Sequence, residues 1–219
     1  MIVANIQKIN QEIGSHTRLI AVSKTKPVEA LLEAHQGGQR IFGENKVQEL
    51  VSKELALPKD IEWHLIGHLQ SNKVKYIAPF IAMIHSVDSF KLLEVINKEG
   101  EKNNRIIPCL LQVFIATEET KFGLNQEELI ELIENFQSSP CKHVQICGLM
   151  GMASNVASES QIRTEFKSLK YLFDKMKASY FANDTSFKEI SMGMSSDYKI
   201  ACEEGATLIR VGSTIFGGR

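Results

Sequence analysis

The feature that most constrains this chain is an eightfold alternation. Short β-type runs come at residues 18–23, 40–43, 62–66, 83–87, 106–113, 144–150, 189–192 and 208–211. Helical patterns fill the gaps at 27–35, 46–55, 73–80, 89–102, 125–136, 159–180 and 197–205. Strands that alternate with helices build parallel βαβ units, because a parallel neighbour is reached only through a crossover. Such strands are covered on both faces, so they read as apolar runs and not as an apolar–polar alternation. Eight units predict an α/β fold, a closed (β/α)8 TIM barrel, near the short end of the range at 219 residues. An open doubly wound sheet is the alternative, but no GxGxxG follows the first strand. No Pro/Gly/Ser-rich linker divides the chain, so residues 1–219 are expected to form one domain. Within it an extra helix at 1–16 precedes a barrel at 17–219 and is expected to cover its bottom or side.

Charge and cysteine usage narrow the function classes. Twenty-five Lys and Arg against 26 Asp and Glu leave a net charge of -1, which argues against nucleic acid or an anionic membrane held by bulk charge. No apolar run approaches the roughly 20 residues of a bilayer span, and the start reads as a helix and not as a signal peptide. Cys109, Cys141, Cys147 and Cys202 show no CxxC pairing and read as free thiols in a reducing cytoplasm.

Polar and glycine residues gather after the strands: Ser23-Lys24, Glu44-Asn45, Gly67-His68, Asp88, then "GLMGM", "SMGMSSD" and "RVGSTIFGG". That end of a barrel is where active sites are built. Lys24 stands at the end of the first strand, where an exposed loop lysine is the plain alternative and is the reading given to Lys26. A nucleophilic lysine must spend time as the neutral amine, which burial and nearby cations favour. In "SMGMSSD", Gly193 permits close backbone approach, and Ser195 and Ser196 precede a helix from about Asp197. This is an anion site, or else plain helix capping. Gly212 and Ser213 repeat the device after the eighth strand, and the pair matches the usual phosphate site of a barrel.

Arg210 lies inside a strand expected to be buried and needs an acceptor, either a ligand or a structural ion pair with Glu62 or Asp88. His64 and His68 have metal-pair spacing, but Gly67 breaks the helix that this spacing requires, so no metal site is read. Lys73, Lys75 and Lys121 read as solvated charges, Lys73 and Lys121 near the mouth. Met150–Met152 read as rim packing and Cys147 as core. A lysine facing a phosphate cup implies a phosphorylated carbonyl ligand held as a Schiff base. Pyridoxal phosphate and a sugar-phosphate aldol substrate both fit.

At these residues the chain resembles the pyridoxal phosphate homeostasis protein family. The stretches are "AVSKTKP", "RIFGENKVQE", "WHLIGHLQSNK", "HSVDS", "LLQV", "TKFGL", "GLMGM", "SMGMSSD" and "IRVGSTIFGGR", which run from near residue 19 to the last. The resemblance implies a barrel like the amino-terminal domain of alanine racemase, a fold-type III-like arrangement. It implies pyridoxal 5'-phosphate as a covalent aldimine at Lys24. Ser195 and the backbone of Gly212 and Ser213 would hold the phosphate, Arg210 would face the pyridine nitrogen, and Asn45 would lie beside the ring. Lys46 stands where many members carry an aromatic residue. The chain is expected to lack the β-rich second domain that supplies an acid/base in racemase-like relatives. The resulting expectation is a cytoplasmic, monomeric carrier that buffers and delivers the cofactor, with apo-enzymes that use it as transient clients and no catalytic residue. A slow racemase-like amino-acid enzyme is the runner-up, and an aldolase-type barrel is the third class.

Overall fold

The computed structural model describes residues 1–116, 122–139 and 141–218. Among them the strands β1 (Arg18–Val22), β2 (Ile41–Glu44), β3 (Glu62–Leu65), β4 (Met83–Val87), β5 (Ile107–Gln112), β6 (Val144–Met150), β7 (Glu189–Ser191) and β8 (Leu208–Val211) pair in chain order. All pairings are parallel, and β8 closes onto β1, so the sheet is the expected closed barrel. The helices are α1 (Ile2–Ile13), α2 (Val28–Gln36), α3 (Val47–Ala56), α4 (Val74–Ile77), α5 (Phe90–Lys102), α6 (Gln126–Ser138), α7 (Glu159–Tyr180), α8 (Tyr198–Glu203) and α9 (Ser213–Phe216). Among the described residues no helix is long and apolar enough to cross a membrane.

Two elements differ from the sequence reading. The helix expected at 73–80 is a 3-10 turn, Ser71–Lys73, running into the single turn of α4. The tail after β8 coils into α9, which is too short to show a period in sequence. Elsewhere local chemistry sets the starts. Ser89, Asn125 and Ser158 cap α5, α6 and α7 by accepting the N–H of Leu92, Glu128 and Gln161. Each such cap is worth about 1 kcal/mol. In α1, Ile6, Ile9 and Ile13 recur on one face and are buried. This helix packs along the side of the barrel: Asn5 donates to the carbonyl of Ile215 in α9, and Tyr198 of α8 donates to Glu12.

Strand alternation divides the interior in two. Leu19, Ala21, Phe42, Trp63 and Ile209 face outward into the shell of helices. Ile20, Met83, Leu110, Cys147, Met150 and Leu208 face inward and fill the lumen as a separate cluster, as barrel interiors require. Met150 therefore belongs to the lumen and not to the rim, and Cys147 is interior as expected. Gly148 serves the same sheet. At φ 150 it sits where a Cβ would lie 1.9 Å from the Glu189 carbonyl oxygen, beside the register shift between β5 and β6.

The lumen also holds a polar chain. His64 Nδ1 lies 2.9 Å from His85 Nε2, and His85 Nδ1 lies 2.9 Å from Ser191 Oγ. β4 and β7 are not neighbours, so this chain crosses the barrel. Burial pushes His64 down to about 3, helped by the Arg18 charge. Burial also holds His85 well below its ordinary range, and a proton on His64 and the charges of Arg210 and Arg18 would each push it lower still. Neutral rings can link as donor to acceptor without stranding a charge.

The sign of the pH effect follows. Both rings are neutral when folded, whereas an unfolded histidine takes up a proton near 6.5. Their contribution is complete above about pH 6.5 and is lost as pH falls from there toward about 3. Urea unfolding between pH 7 and pH 5 should show stability declining by up to about 1.4 kcal/mol per pH unit for each histidine. His64→Gln should remove one proton's worth of that slope, whatever it does to stability at pH 7. An unchanged slope would contradict the buried neutral pair.

Candidate functional site

At the carboxyl end of the strands, β1 runs out at Val22 and the chain turns through Ser23, Lys24 and Thr25. Lys24 is half-buried, and among the described residues its side chain makes no hydrogen bond or ion pair. It lines a cleft of about 380 Å³ whose other polar walls are Asn45, Ser195, Ser196, Arg210, Gly212 and Ser213. Val22, Ile66, Met152 and Met194 supply apolar walls. All six residues singled out from sequence (Lys24, Asn45, Ser195, Arg210, Gly212 and Ser213) are thus brought together. A wider groove of about 680 Å³ adjoins it, lined by Lys24, Thr25, Lys26, Pro27, Asn45, Lys46, Glu49 and Gly218. The smaller cleft is the candidate site, because the amine, the guanidinium and the serine-bearing turns converge only there.

Local rules explain these placements. Asn45 follows β2 and presses against Gly67, where a Cβ would meet the Asn45 carbonyl oxygen at 2.5 Å. Gly193 has φ 91 and packs where a Cβ would lie 2.5 Å from the Ala201 Cβ, which seats the turn on α8. Within that turn Met194 N–H donates to Asp197 Oδ1 at 2.6 Å. The β7 and β8 loops are joined directly, since Gly212 N–H donates to Ser195 Oγ at 3.2 Å. The Gly212 amide is therefore engaged within the protein, and the Ser195 hydroxyl keeps its own proton to donate. Ser213 opens α9: the N–H groups of Ile215 and Phe216 donate to the Gly212 carbonyl, whereas among the described residues those of Ser213 and Thr214 have no acceptor.

Arg210 is 4% exposed, and its donors go to Ser191 Oγ at 2.6 Å and the Gly151 carbonyl at 3.0 Å. The ion pair with Glu62 or Asp88 is not formed. Glu62 begins β3 at the opposite end of the barrel, and Asp88 lies 3.9 Å from His68. Burial pushes the guanidinium down to about 10, with Asp197 opposing, so Arg210 stays charged at neutral pH. His64 and His68 do not converge: one is in the lumen, the other on the rim with its ring 6.2 Å from Phe122. Lys26 donates to the carbonyls of Phe216, Gly217 and Gly218 and ties down the segment after α9. Lys73 and Lys75 lie over the Tyr76 ring and do not line the cleft, although Lys73 shares a neighbouring pocket with Asn45. Lys121 falls outside the described residues. Met152, read as rim packing, is part of the cleft wall.

The fold and cleft define a class: parallel β/α barrels that present a lysine and serine-bearing turns at the carboxyl ends of their strands. The chain belongs to the alanine racemase N-terminal domain family, whose model matches residues 1–219, and within it to the pyridoxal phosphate homeostasis proteins. A member of that name from Aquifex aeolicus is 38% identical over 100% of this chain and 95% of its own. PipY of Synechococcus elongatus, solved without PLP, superposes with a TM-score of 0.92 at 34% identity, covering 99% of this chain and 100% of its own. The same protein with PLP bound gives 0.89 at 35%, with the same coverage. Alanine racemase of Bartonella henselae shares the fold, with a TM-score of 0.73 at 20% identity over 99% of this chain and 58% of its own.

Beneath the lysine loop lies a network that the sequence did not disclose. Glu44, read as following the second strand, is the last residue of β2 and fully buried. Lys53, one helical turn beyond Glu49 in α3, is 4% exposed and donates to Glu44 Oε1 at 2.7 Å, Glu49 Oε1 at 2.7 Å and the Ser23 carbonyl at 2.8 Å. Ser23 Oγ also donates to Glu44 Oε1 at 2.7 Å, whereas Glu44 Oε2 is buried with no partner among the described residues. Burial raises the Glu44 carboxyl above its ordinary range, against the pull of Lys53 and Ser23. An i,i+4 Glu–Lys pair normally signals an exposed helix face, which is why the sequence concealed this one.

Removing Lys53 leaves Glu44 without its cation in an apolar setting. Lys53→Met should cost about 3–5 kcal/mol near pH 7, measured by chemical denaturation. The loss should shrink toward pH 5, where Glu44 can escape its penalty by taking a proton. A small, pH-independent loss would show that Lys53 does not compensate Glu44.

Proposed function

We propose that this chain binds pyridoxal 5'-phosphate through Lys24 and serves as a carrier that buffers the cofactor and delivers it to apo-enzymes. The observation that carries this reading is the convergence, in one cleft, of a partnerless lysine amine, a buried guanidinium and two serine-bearing turns. The donor set fits the group: an amine for its aldehyde, apolar side walls for its ring, and hydroxyl and amide donors for its phosphate. Curated relatives are named pyridoxal phosphate homeostasis protein, and PipY has a structure with PLP bound. We take the barrel, with α1 along its side, as a single cofactor-binding unit. Four free cysteines accord with a reducing cytoplasm.

In this reading Lys24 forms the covalent link. The Ser195 hydroxyl and the Ser213 N–H hold the phosphate, while Gly212, through its bond to Ser195, fixes the serine in place. Asn45 would lie beside the ring, and Arg210 would face the pyridine nitrogen. When bound, the cofactor supplies a reactive aldehyde and an electron-withdrawing ring. Arg210 works against the second property, because a guanidinium that keeps its proton does not protonate the ring. Lys24 and Arg210 are also the cleft's titratable walls among the described residues, so a two-base racemisation finds no second base there. Both features favour carriage over turnover. The likeness to alanine racemases is one of fold.

Delivery is tested by loading the protein with cofactor, adding an apo-enzyme that requires it, and following activation alongside a Ser195→Ala variant. The wild type should activate the apo-enzyme. The variant should bind pyridoxal phosphate about 10-fold to 150-fold more weakly, as expected for one hydrogen bond to a charged group, and release it sooner. Its affinity for unphosphorylated pyridoxal should hardly change. Equal weakening for both ligands would assign Ser195 to the fold, and no activation by the wild type would contradict the carrier role.

A further inference from the structure

Among the described residues the Lys24 side chain makes no hydrogen bond or ion pair that would aim it, yet the residues on either side of it are held. Ser23 is fixed from below, its carbonyl accepting from Lys53 and its hydroxyl donating to Glu44. Thr25 is fixed from the other side, its N–H donating to Glu49 Oε1 at 2.5 Å. The same Glu49 oxygen accepts from Lys53 at 2.7 Å, so one atom ties the loop to the buried cation. Thr25 needs such a tie. It has φ 64, in the left-handed region where a β-branched residue is a genuine outlier. Asn104 is the other non-glycine with positive φ among the described residues, and asparagine tolerates that conformation. A backbone of this kind persists when its surroundings over-determine it. An ordinary Glu–Lys pair on a helix face would be complete without reaching the loop after β1. Glu49 reaches it.

We propose that Glu49 is a positioning residue for Lys24: paired with Lys53, it accepts the Thr25 N–H, holds Thr25 in the left-handed region and so aims the lysine into the cleft. The buried Glu44–Lys53 pair is the anchor, and Glu49 is the arm that reaches the loop. The inference rests on the proposed function for the identity of the ligand, but not for the geometry. Glu49 is also the safe member to alter, since its side chain is 23% exposed and its removal leaves Lys53 paired with Glu44 and Ser23.

The test compares Glu49→Gln, Glu49→Ala and Thr25→Gly, the last alone and combined with Glu49→Ala. One readout is affinity for pyridoxal phosphate by absorbance titration. The other needs no cofactor: the rate of Lys24 acylation by acetic anhydride, measured by peptide mass spectrometry against exposed Lys8. Glu49→Gln keeps an oxygen toward Thr25 and should stay within about threefold of wild type. Glu49→Ala should weaken binding by about tenfold or more and shift the relative acylation rate of Lys24 at least about twofold. Thr25→Gly should recover most of that loss, because glycine enters the left-handed region without a tie, while changing the otherwise unaltered protein by less than about twofold. Equal factors from Thr25→Gly in both backgrounds, or wild-type values for Glu49→Ala in both readouts, would overturn the proposal. Should Glu49→Ala fail to fold, Glu49→Asp, which keeps the charge and shortens the reach, is read in its place. If the wild type binds no pyridoxal phosphate, the functional reading fails, and the acylation rates still decide whether Glu49 aims Lys24.

Discussion

Closure of the barrel is the constraint on which everything else depends. β8 pairs with β1 along its length, setting Arg210 opposite Ile20 and Val211 opposite Ala21. These residues are separated by most of the chain, yet the pairing carries the loop after β1 to the turn after β8. The approach is tight: a Cβ on Gly212 would lie 2.9 Å from the Val22 carbonyl oxygen. Closure also requires a filled lumen. Inward-facing Ile20, Met83 and Leu208 fill its lower part, and Arg210 rises above them as the floor of the cleft.

The charges around the cleft depend on the same burial. Arg210 stays positive in a nearly dry site because neutral partners, a serine hydroxyl and a backbone carbonyl, satisfy it without neutralising it. Below that serine the two histidines remain uncharged, so they extend the hydrogen-bond chain without adding a second positive charge beside the arginine. On the other wall, Lys53 gives all three of its protons to Glu44, Glu49 and Ser23, which leaves Lys24, among the described residues lining the cleft, as the amine without a partner. One lysine is structural because its donors are saturated, and its neighbour is available because its donors are not.

Much of this was legible in the sequence, and the reasons are physical. Strands covered on both faces must be apolar, so the eight runs stand out, and residues such as Lys24, Ser195 and Gly212 at their ends are conspicuous by contrast. Several strand ends shifted by one residue, since hydrogen bonding and not side-chain character sets them. α9 was invisible because one turn shows no period, and the helix read at 73–80 broke because a 3-10 turn has none to show. What escaped altogether were contacts set by tertiary placement. Glu49 and Lys53 have the i,i+4 spacing common on solvated helix faces, and only the fold buries Lys53 against β2. Nothing in the sequence sets His64 against His85, or turns the Gly212 amide toward Ser195 and away from a ligand.

The central claim is that, among the described residues, Lys24 alone presents a free amine to the cleft. Borohydride reduction of the protein incubated with pyridoxal phosphate, followed by peptide mapping, tests it most directly. The reduced pyridoxyl mass should fall on the peptide carrying Lys24 and fragment to that residue. A label found chiefly on Lys26, Lys46 or Lys121, or none at all, would contradict the account.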